Sequence, residues 1–296
     1  MKSLLAIANA DAGTADDEAV EAAVEALRDG FDVDLIRTAS ADDLSAALAE
    51  RPTLDVVAVL GGDGSLHAVV AALHTAGRLD AVTIGLIPLG TGNDFAATLE
   101  LPDDPAQAAR VLVAGATRPI DLIVDGDGGV VVNAAHIGIG AEAAAAARPW
   151  KKALGPIGYL IGAVLTGLKG LTTPGATLRV RVDGKELPRK EPMIQVAVGN
   201  GRYVGGGAPL LPTADPSDGL LDVSVSYTES PRRRIAYAFS VRRGEHHRRD
   251  DVVYLRGTEV DVTGDALRCT SDGELTKPST HHRWTLHPSA MTVFVP

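Results

Sequence analysis

The segment LDVVAVLGGDGSL, residues 54–66, sets the strongest constraint on how this chain can fold. An apolar run suited to a buried strand ends in Gly61-Gly62-Asp63-Gly64-Ser65 and continues into a helix-like HAVVAALHTAG. Glycines let the backbone turn sharply and bring N–H groups against an anion, and the following helix adds its positive N-terminal end. The form is that of a phosphate cradle, although Gly-Asp-Gly alone also makes ordinary turns and hairpin loops. A second loop favours the cradle. Residues 81–87 read as another apolar strand, and PLGTGNDFA follows at 88–96 with two glycines, a hydroxyl, an amide and a carboxylate. Two glycine loops at the carboxyl ends of successive strands make the nucleotide crevice of a parallel sheet.

The same unit recurs through residue 124. Apolar strands at 3–8, 32–36, 56–60 and 82–87 alternate with alanine-rich helical stretches at 16–29, 41–50, 65–76 and 105–114. Such alternation predicts βαβ units on a parallel sheet. From about residue 125 the texture changes to short β-like runs at 176–182, 193–198, 221–227, 251–256 and 259–263, separated by Gly, Pro and Asp turns. These predict an antiparallel sandwich. The expected organisation is an α/β nucleotide domain over residues 1–124 and a β-rich domain over 125–289.

Composition narrows the function. The 296 residues, 45% of them hydrophobic, suffice for one large or two ordinary cores. A net charge of −10 argues against general nucleic-acid binding, which relies on neutralising phosphates with basic residues. Cys269 is the single cysteine, which excludes an internal disulfide and fits a reducing compartment. The N-terminal apolar stretch reads as a strand and is too short for a signal peptide, so a cytoplasmic protein is expected. The most apolar uncharged run, 153–168, is interrupted by Gly155, Pro156, Gly158 and Gly162 and falls short of the ~20 residues that cross a bilayer. A helix over 157–168 would serve either the core or a lipid entrance. Residues 232–256 concentrate arginine, including Arg232, Arg233, Arg234, Arg242, Arg243, Arg248 and Arg249. They form either a solvated face paired with Glu245, Asp250 and Asp251, or a dock for anionic lipid headgroups. The pairs His246-His247 and His281-His282 do not read as zinc ligands, because adjacent histidines of an extended chain point to opposite faces.

Further motifs extend the pattern: NAAHIGIG at 133–140, GNGRYVGGG at 199–207, DGLLDV at 218–223 and DGE at 272–274. With GGDGS at 61–65 and PLGTGNDFA at 88–96, the sequence resembles the diacylglycerol kinase catalytic domain family, which includes bacterial lipid kinases and sphingosine and ceramide kinases. Serine replaces the family's threonine at Ser65. The family commonly has Asn-Pro-x-x-Gly after its first strand, where this chain has Asn9-Ala10-Asp11-Ala12-Gly13; losing proline there costs rigidity but removes no donor. The resemblance implies a Rossmann-like, NAD-kinase-like α/β domain and a C-terminal antiparallel β-sandwich with the active site between them. It also implies a final strand, near 290–295, that returns to the first domain.

By the same resemblance Asn9, Ala10, Asp11, Ala12, Gly13, Thr38, Gly61, Gly62, Asp63, Gly64, Ser65, Leu66, His67 and Thr91 contact ATP, with Gly92 and Asn93 in the same loop as Thr91. Asp63 and Asp94 organise Mg²⁺ and the loops. Asp121 either joins this network or is an ordinary turn carboxylate. Glu274 is the expected proton acceptor with Asp272 beside it, since alternate residues of an extended segment share a face and glycine admits a ligand closely; taken alone, Asp-Gly-Glu is a hairpin tip. A carboxylate with pKa ~4 cannot ionise an alcohol beforehand, so proton transfer is expected late, along a loose transition state. A structural Mg²⁺ is implied at Asp215, Asp218 and the Leu220 carbonyl. The activity implied is ATP- and Mg²⁺-dependent phosphorylation of a hydroxyl on a diacylglycerol-like or long-chain-base lipid, by a protein peripheral to the inner membrane face, with a homodimer left open. NAD kinase shares the GGDG loop and is the enzymatic rival. A nucleotide-gated lipid-binding protein without catalysis is the other alternative.

Overall fold

The computed structural model describes residues 2–10, 14–138, 175–188, 192–227 and 230–296; the helix expected at 157–168, and Asp11, Ala12 and Gly13, lie outside them. In the N-terminal part, strands β1 (Lys2–Asn9), β2 (Phe31–Thr38), β3 (Val56–Gly61) and β4 (Thr83–Pro88) run parallel in the order β2-β1-β3-β4. They alternate with α1 (Thr14–Leu27), α2 (Ala41–Ala49), α3 (Asp63–Thr75), α4 (Asp94–Thr98) and α5 (Pro105–Ala114). Leu5, Ile7, Val57 and Val59 pack with α2 and α3 on one face, while Leu4, Ala6, Val56, Ala58 and Leu60 pack with α1 and α5 on the other. Burial on both faces is why these strands read as continuous apolar runs.

The rest of the described chain is β5 (Thr117–Asp125), β6 (Val130–Val131), β7 (Ala134–Gly138), β8 (Leu178–Val182), β9 (Lys185–Glu186), β10 (Gln195–Gly199), β11 (Leu221–Ser226), α6 (Pro231–Arg242), β12 (Val252–Gly257), β13 (Glu259–Leu267), β14 (Cys269–Ser271), β15 (Glu274–Leu275) and β16 (Ser279–Phe294). An antiparallel sheet of order β12-β11-β10-β7-β14-β15 packs on the wing β16-β13-β8. Val196, Val198, Val223 and Val225 meet Val180, Val260, Val262 and Trp284 between the layers. The alternation expected of a sandwich is plain in β8, where Leu178, Val180 and Val182 point inward and Arg179 and Arg181 outward.

The returning strand is longer than its sequence suggests. β16 pairs with β13 at one end, through Trp284 and Val260, and runs parallel to β4 at the other, through Thr292 and Thr83. The first domain's sheet and one layer of the sandwich are therefore one continuous ten-stranded sheet. β5 pairs antiparallel with β16 from Trp284 to Phe294, with a register shift between His287 and Met291. Asp121, 1% exposed, sits opposite that bulge and accepts the N–H of Ser289 at 2.7 Å. Ser289 has φ 52, so a polar clasp holds a strained turn where the two cores meet. Among the described residues no helix is long and apolar enough to cross a membrane.

Candidate active site

Because β1 to β4 run parallel, their carboxyl ends share one edge, where Asn9 pairs with Thr38 and Gly61 with Pro88. Helix α3 starts at Asp63, earlier than the sequence reading placed it, so Asp63, Gly64 and Ser65 form its first turn. Its N-cap, Gly62, supplies no side-chain cap, which leaves the N–H end of the helix as an anion site. A Cβ at Gly64 would meet nothing within 4 Å, so the cradle is open there. Behind it the two glycine loops touch backbone to backbone: a Cβ at Gly90 would lie 2.6 Å from the Gly62 Cα. Leu66 departs from the expected ATP contacts, since its side chain is in the core and its N–H bonds the Gly62 carbonyl at 3.1 Å.

The loop carboxylates bind backbone. Asp63 accepts the N–H groups of Asp94 at 3.0 Å and Phe95 at 2.9 Å, fastening the first loop to the start of α4. Asn93, at φ 50, closes the second loop by accepting from Gly90 N–H at 3.0 Å and donating to the Gly90 carbonyl at 2.7 Å. Thr91 and Gly92 stand exposed between these anchors. Asp94 is 6% exposed and accepts from the N–H groups of Gly206 and Gly207, the latter at 2.6 Å. Burial pushes its carboxyl above the ordinary value, and these bonds oppose that rise. Sequence reasoning gave Gly206 and Gly207 no role at the site; their signal was the Gly205–207 run, whose φ values are all positive.

Asp272 and Glu274 do not share one extended segment: Glu274 opens β15, while Asp272 lies in the turn before it. Asp272 (φ 45) and Gly273 (φ 84) form a two-residue hairpin turn between β14 and β15, the plain geometry of Asp-Gly. The turn aims Asp272 inward. Its Oδ2 accepts from Val132 N–H at 2.7 Å and bonds His67 Nδ1 at 2.9 Å, while Oδ1 accepts from Asn133 N–H at 2.9 Å and Ala134 N–H at 3.1 Å. A carboxylate offers about four lone-pair sites, and all of them are filled. Glu274 stands exposed across from Ser271. The bond to Asp272 and the charges of Asp272 and Glu274 hold the His67 imidazole above its ordinary value, against the opposing effect of burial. Since His67 belongs to α3, the cradle helix is tied directly to the hairpin.

Asp215, Asp218 and Leu220 share one turn. Asp215 Oδ1 accepts from Ser217 N–H at 3.1 Å and from its hydroxyl at 2.7 Å, and Asp218 Oδ1 accepts from Leu220 N–H at 3.0 Å. The other Asp218 oxygen meets the Arg256 guanidinium, which also lies 3.4 Å from Asp222. Asp121 belongs to this side too, accepting Gly219 N–H at 2.8 Å. Among the described residues no three His, Cys, Asp or Glu side chains gather as a metal group.

The sequence matches the family described as diacylglycerol kinase catalytic domain over residues 3–124, and the one described as YegS C-terminal NAD kinase beta sandwich-like domain over 129–295. A relative named "Probable lipid kinase YegS-like" from Cronobacter sakazakii is 32% identical over 216 residues, 72% of this chain and 71% of that protein. The chain belongs to the diacylglycerol kinase family. A relative of the same name from Xanthomonas euvesicatoria is 37% identical over 175 residues, a match that spans 57% of this chain and 55%, about half, of that protein. A solved diacylglycerol kinase structure from Bacillus anthracis superposes with a TM-score of 0.73 at 20% identity, covering 100% of this chain and 97% of that one. A second structure from the same organism reaches 0.80 at 22%. Both structures share the overall fold described above.

Proposed function

We propose that this chain is an ATP- and Mg²⁺-dependent lipid kinase that phosphorylates a hydroxyl of a diacylglycerol-like or long-chain-base lipid, working in the cytoplasm at the inner membrane face. The observation that carries the reading is the meeting, through His67 and Asp272, of an uncapped cradle helix with a hairpin that presents an exposed carboxylate. The open first turn at Gly64 fits ATP phosphates, with Asn9, Thr38 and Thr91 on the same rim. Asp63 accepts one N–H bond on each oxygen and keeps a lone pair on each, so it is the carboxylate able to hold Mg²⁺. The ion, when bound, neutralises charge on the β and γ phosphates.

The saturation of Asp272 divides the roles of the two acids. Asp272 positions His67 and the β6–β7 turn, and Glu274 accepts the proton of the lipid hydroxyl. As the hydroxyl oxygen bonds to the γ-phosphorus, the bond to the β–γ bridging oxygen breaks and ADP leaves with that electron pair. A loose transition state lets a weak base suffice, because the oxygen becomes acidic only as the new bond forms. At the second turn, Arg256 provides the positive charge for Asp218 in place of a structural Mg²⁺.

The test incubates purified protein with γ-labelled ATP, Mg²⁺ and a mixed lipid extract, with NAD in a parallel tube. Label in an organic-phase product, absent with Glu274→Gln although ATP binding persists, supports the reading. Label on NAD alone shifts the assignment to the soluble substrate, and label in neither supports a binding protein.

A further inference from the structure

Of the three large apolar side chains exposed among the described residues, two, Ile235 (45%) and Phe239 (62%), lie one turn apart on α6. Arg232 precedes them by one turn and Arg242 and Arg243 follow by one turn, all exposed and on the same stripe. The opposite stripe anchors the helix: Tyr237 is buried and donates to Gln195 Oε1 at 2.9 Å, and Val241 packs beside Leu210, Leu211 and Ala214. The arginine-rich segment therefore divides. Arg233 and Arg249 pair with Asp250 and Asp251, the solvated-face arrangement. Arg232, Arg242 and Arg243 form no ion pair among the described residues.

We propose that the outer stripe of α6 is a docking surface for an anionic lipid bilayer, with Ile235 and Phe239 entering the acyl boundary and Arg232, Arg242 and Arg243 meeting headgroup phosphates. An interfacial helix needs this pattern, an apolar strip bracketed by cations and lying flat in the headgroup layer. A second copy of the chain is disfavoured as occupant, because a two-fold contact through this face would set arginine against arginine. A protein interface of ordinary size calls for about 800 Å² per partner around a buried apolar centre, more than two side chains supply. The helix is tied to the site through its inner side: Val241 and His246, whose Nε2 lies 2.9 Å from the Leu210 carbonyl, rest on the loop that carries Gly206 and Gly207 to Asp94. The proposal agrees with the lipid-kinase reading but is tested without turnover.

Full-length protein is sedimented with phosphatidylglycerol-containing vesicles and with pure phosphatidylcholine vesicles, without ATP. Binding to the anionic vesicles is expected to be at least tenfold stronger and lost at high salt. Each arginine changed to glutamine should weaken it roughly fivefold, and Ile235→Ser with Phe239→Ser should weaken it at least tenfold. A polarity-sensitive dye on Phe239→Cys should shift to the blue with anionic vesicles only; Cys269 will not compete, since it is buried with its thiol pushed up to about 12. Equal binding to both vesicle types, serine variants that bind like the parent, or a dye response to protein concentration instead of lipid would each overturn the proposal. Activity on detergent-dispersed lipid should survive all these changes; a parent without that activity would count against the kinase assignment and not against docking.

Discussion

Two acid-rich regions of this molecule hold their carboxylates in different ways. Around the cradle, Asp63, Asp94 and Asp272 are satisfied chiefly by backbone N–H groups. At the Asp215–Leu220 turn and the start of β11, Asp218 and the buried Asp222 also face the Arg256 guanidinium. A backbone donor cannot leave without unfolding its segment, so each cradle carboxylate is a clasp between two stretches of chain. A guanidinium rides on a flexible side chain and can be exchanged for another cation. The first region is thus built for fixed geometry, the second for charge balance.

Removing a clasp should have the largest effect. Asp272→Ala strands the N–H groups of Val132, Asn133 and Ala134 together with His67, and should cost about 3–5 kcal/mol in urea unfolding. Glu274→Gln, at an exposed position, should stay within about 0.5 kcal/mol of the parent while abolishing turnover. An Asp272→Ala protein with the parent's unfolding midpoint and no activity would make Asp272 a chemical group and erase the division of roles. Next comes the seam between the loops. Gly90→Ala places a methyl 2.6 Å from the Gly62 Cα, where backbone meets backbone, so the cradle must open. The KM for ATP should rise roughly tenfold to a hundredfold; an unchanged KM would mean the loops move freely and do not form a preset cradle.

The contrast also explains what was legible. The parallel half could be read because strand burial, helix composition and glycine loops are local signals, and β1 to β4 match the expected strands closely. Of the sandwich strands, β8, β10, β11, β12 and β13 were legible for the same reason. Missed were β5, β7, β14, the full length of β16 and the clasps, which depend on partners about 30 to 210 positions away, as when Asp63 meets Asp94, Asp121 meets Ser289 and β16 meets β4. Nothing in Asp272-Gly273-Glu274 itself says that one acid turns inward and the other outward. The resemblance identified the segment, and only the hairpin's positive φ values divide the pair.

Arg256 offers a smaller effect on the charge-balanced side. Arg256→Gln leaves Asp218 and Asp222 without their cation, and burial already holds the Asp222 carboxyl above its ordinary value. The expected result is a melting temperature a few degrees lower, corresponding to about 1 kcal/mol, recovered by millimolar Mg²⁺, whereas the parent should be indifferent to chelator. A parent destabilised by chelator would restore the structural Mg²⁺ at Asp215, Asp218 and Leu220 and remove the contrast between the two regions.

The smallest effect tests whether the His67–Asp272 clasp differs from the backbone clasps by titrating. Asp272 accepts from peptide N–H groups that hold their protons across the whole accessible pH range, but His67 does not. Its pKa is raised in the folded protein, chiefly by the Asp272 bond, above an unfolded value of about 6.5. The folded state therefore binds the proton more tightly than the unfolded chain. The ionic share of the clasp is complete below pH about 6.5 and fades as pH rises through the raised value. Urea midpoints of the parent and of His67→Gln, whose amide can donate to Asp272 without titrating, should differ most at mildly acidic pH, by no more than about 1 kcal/mol, and converge at alkaline pH. A gap that stays constant with pH would show that the imidazole serves as a neutral donor, making this contact one more fixed clasp like those from Val132 to Ala134.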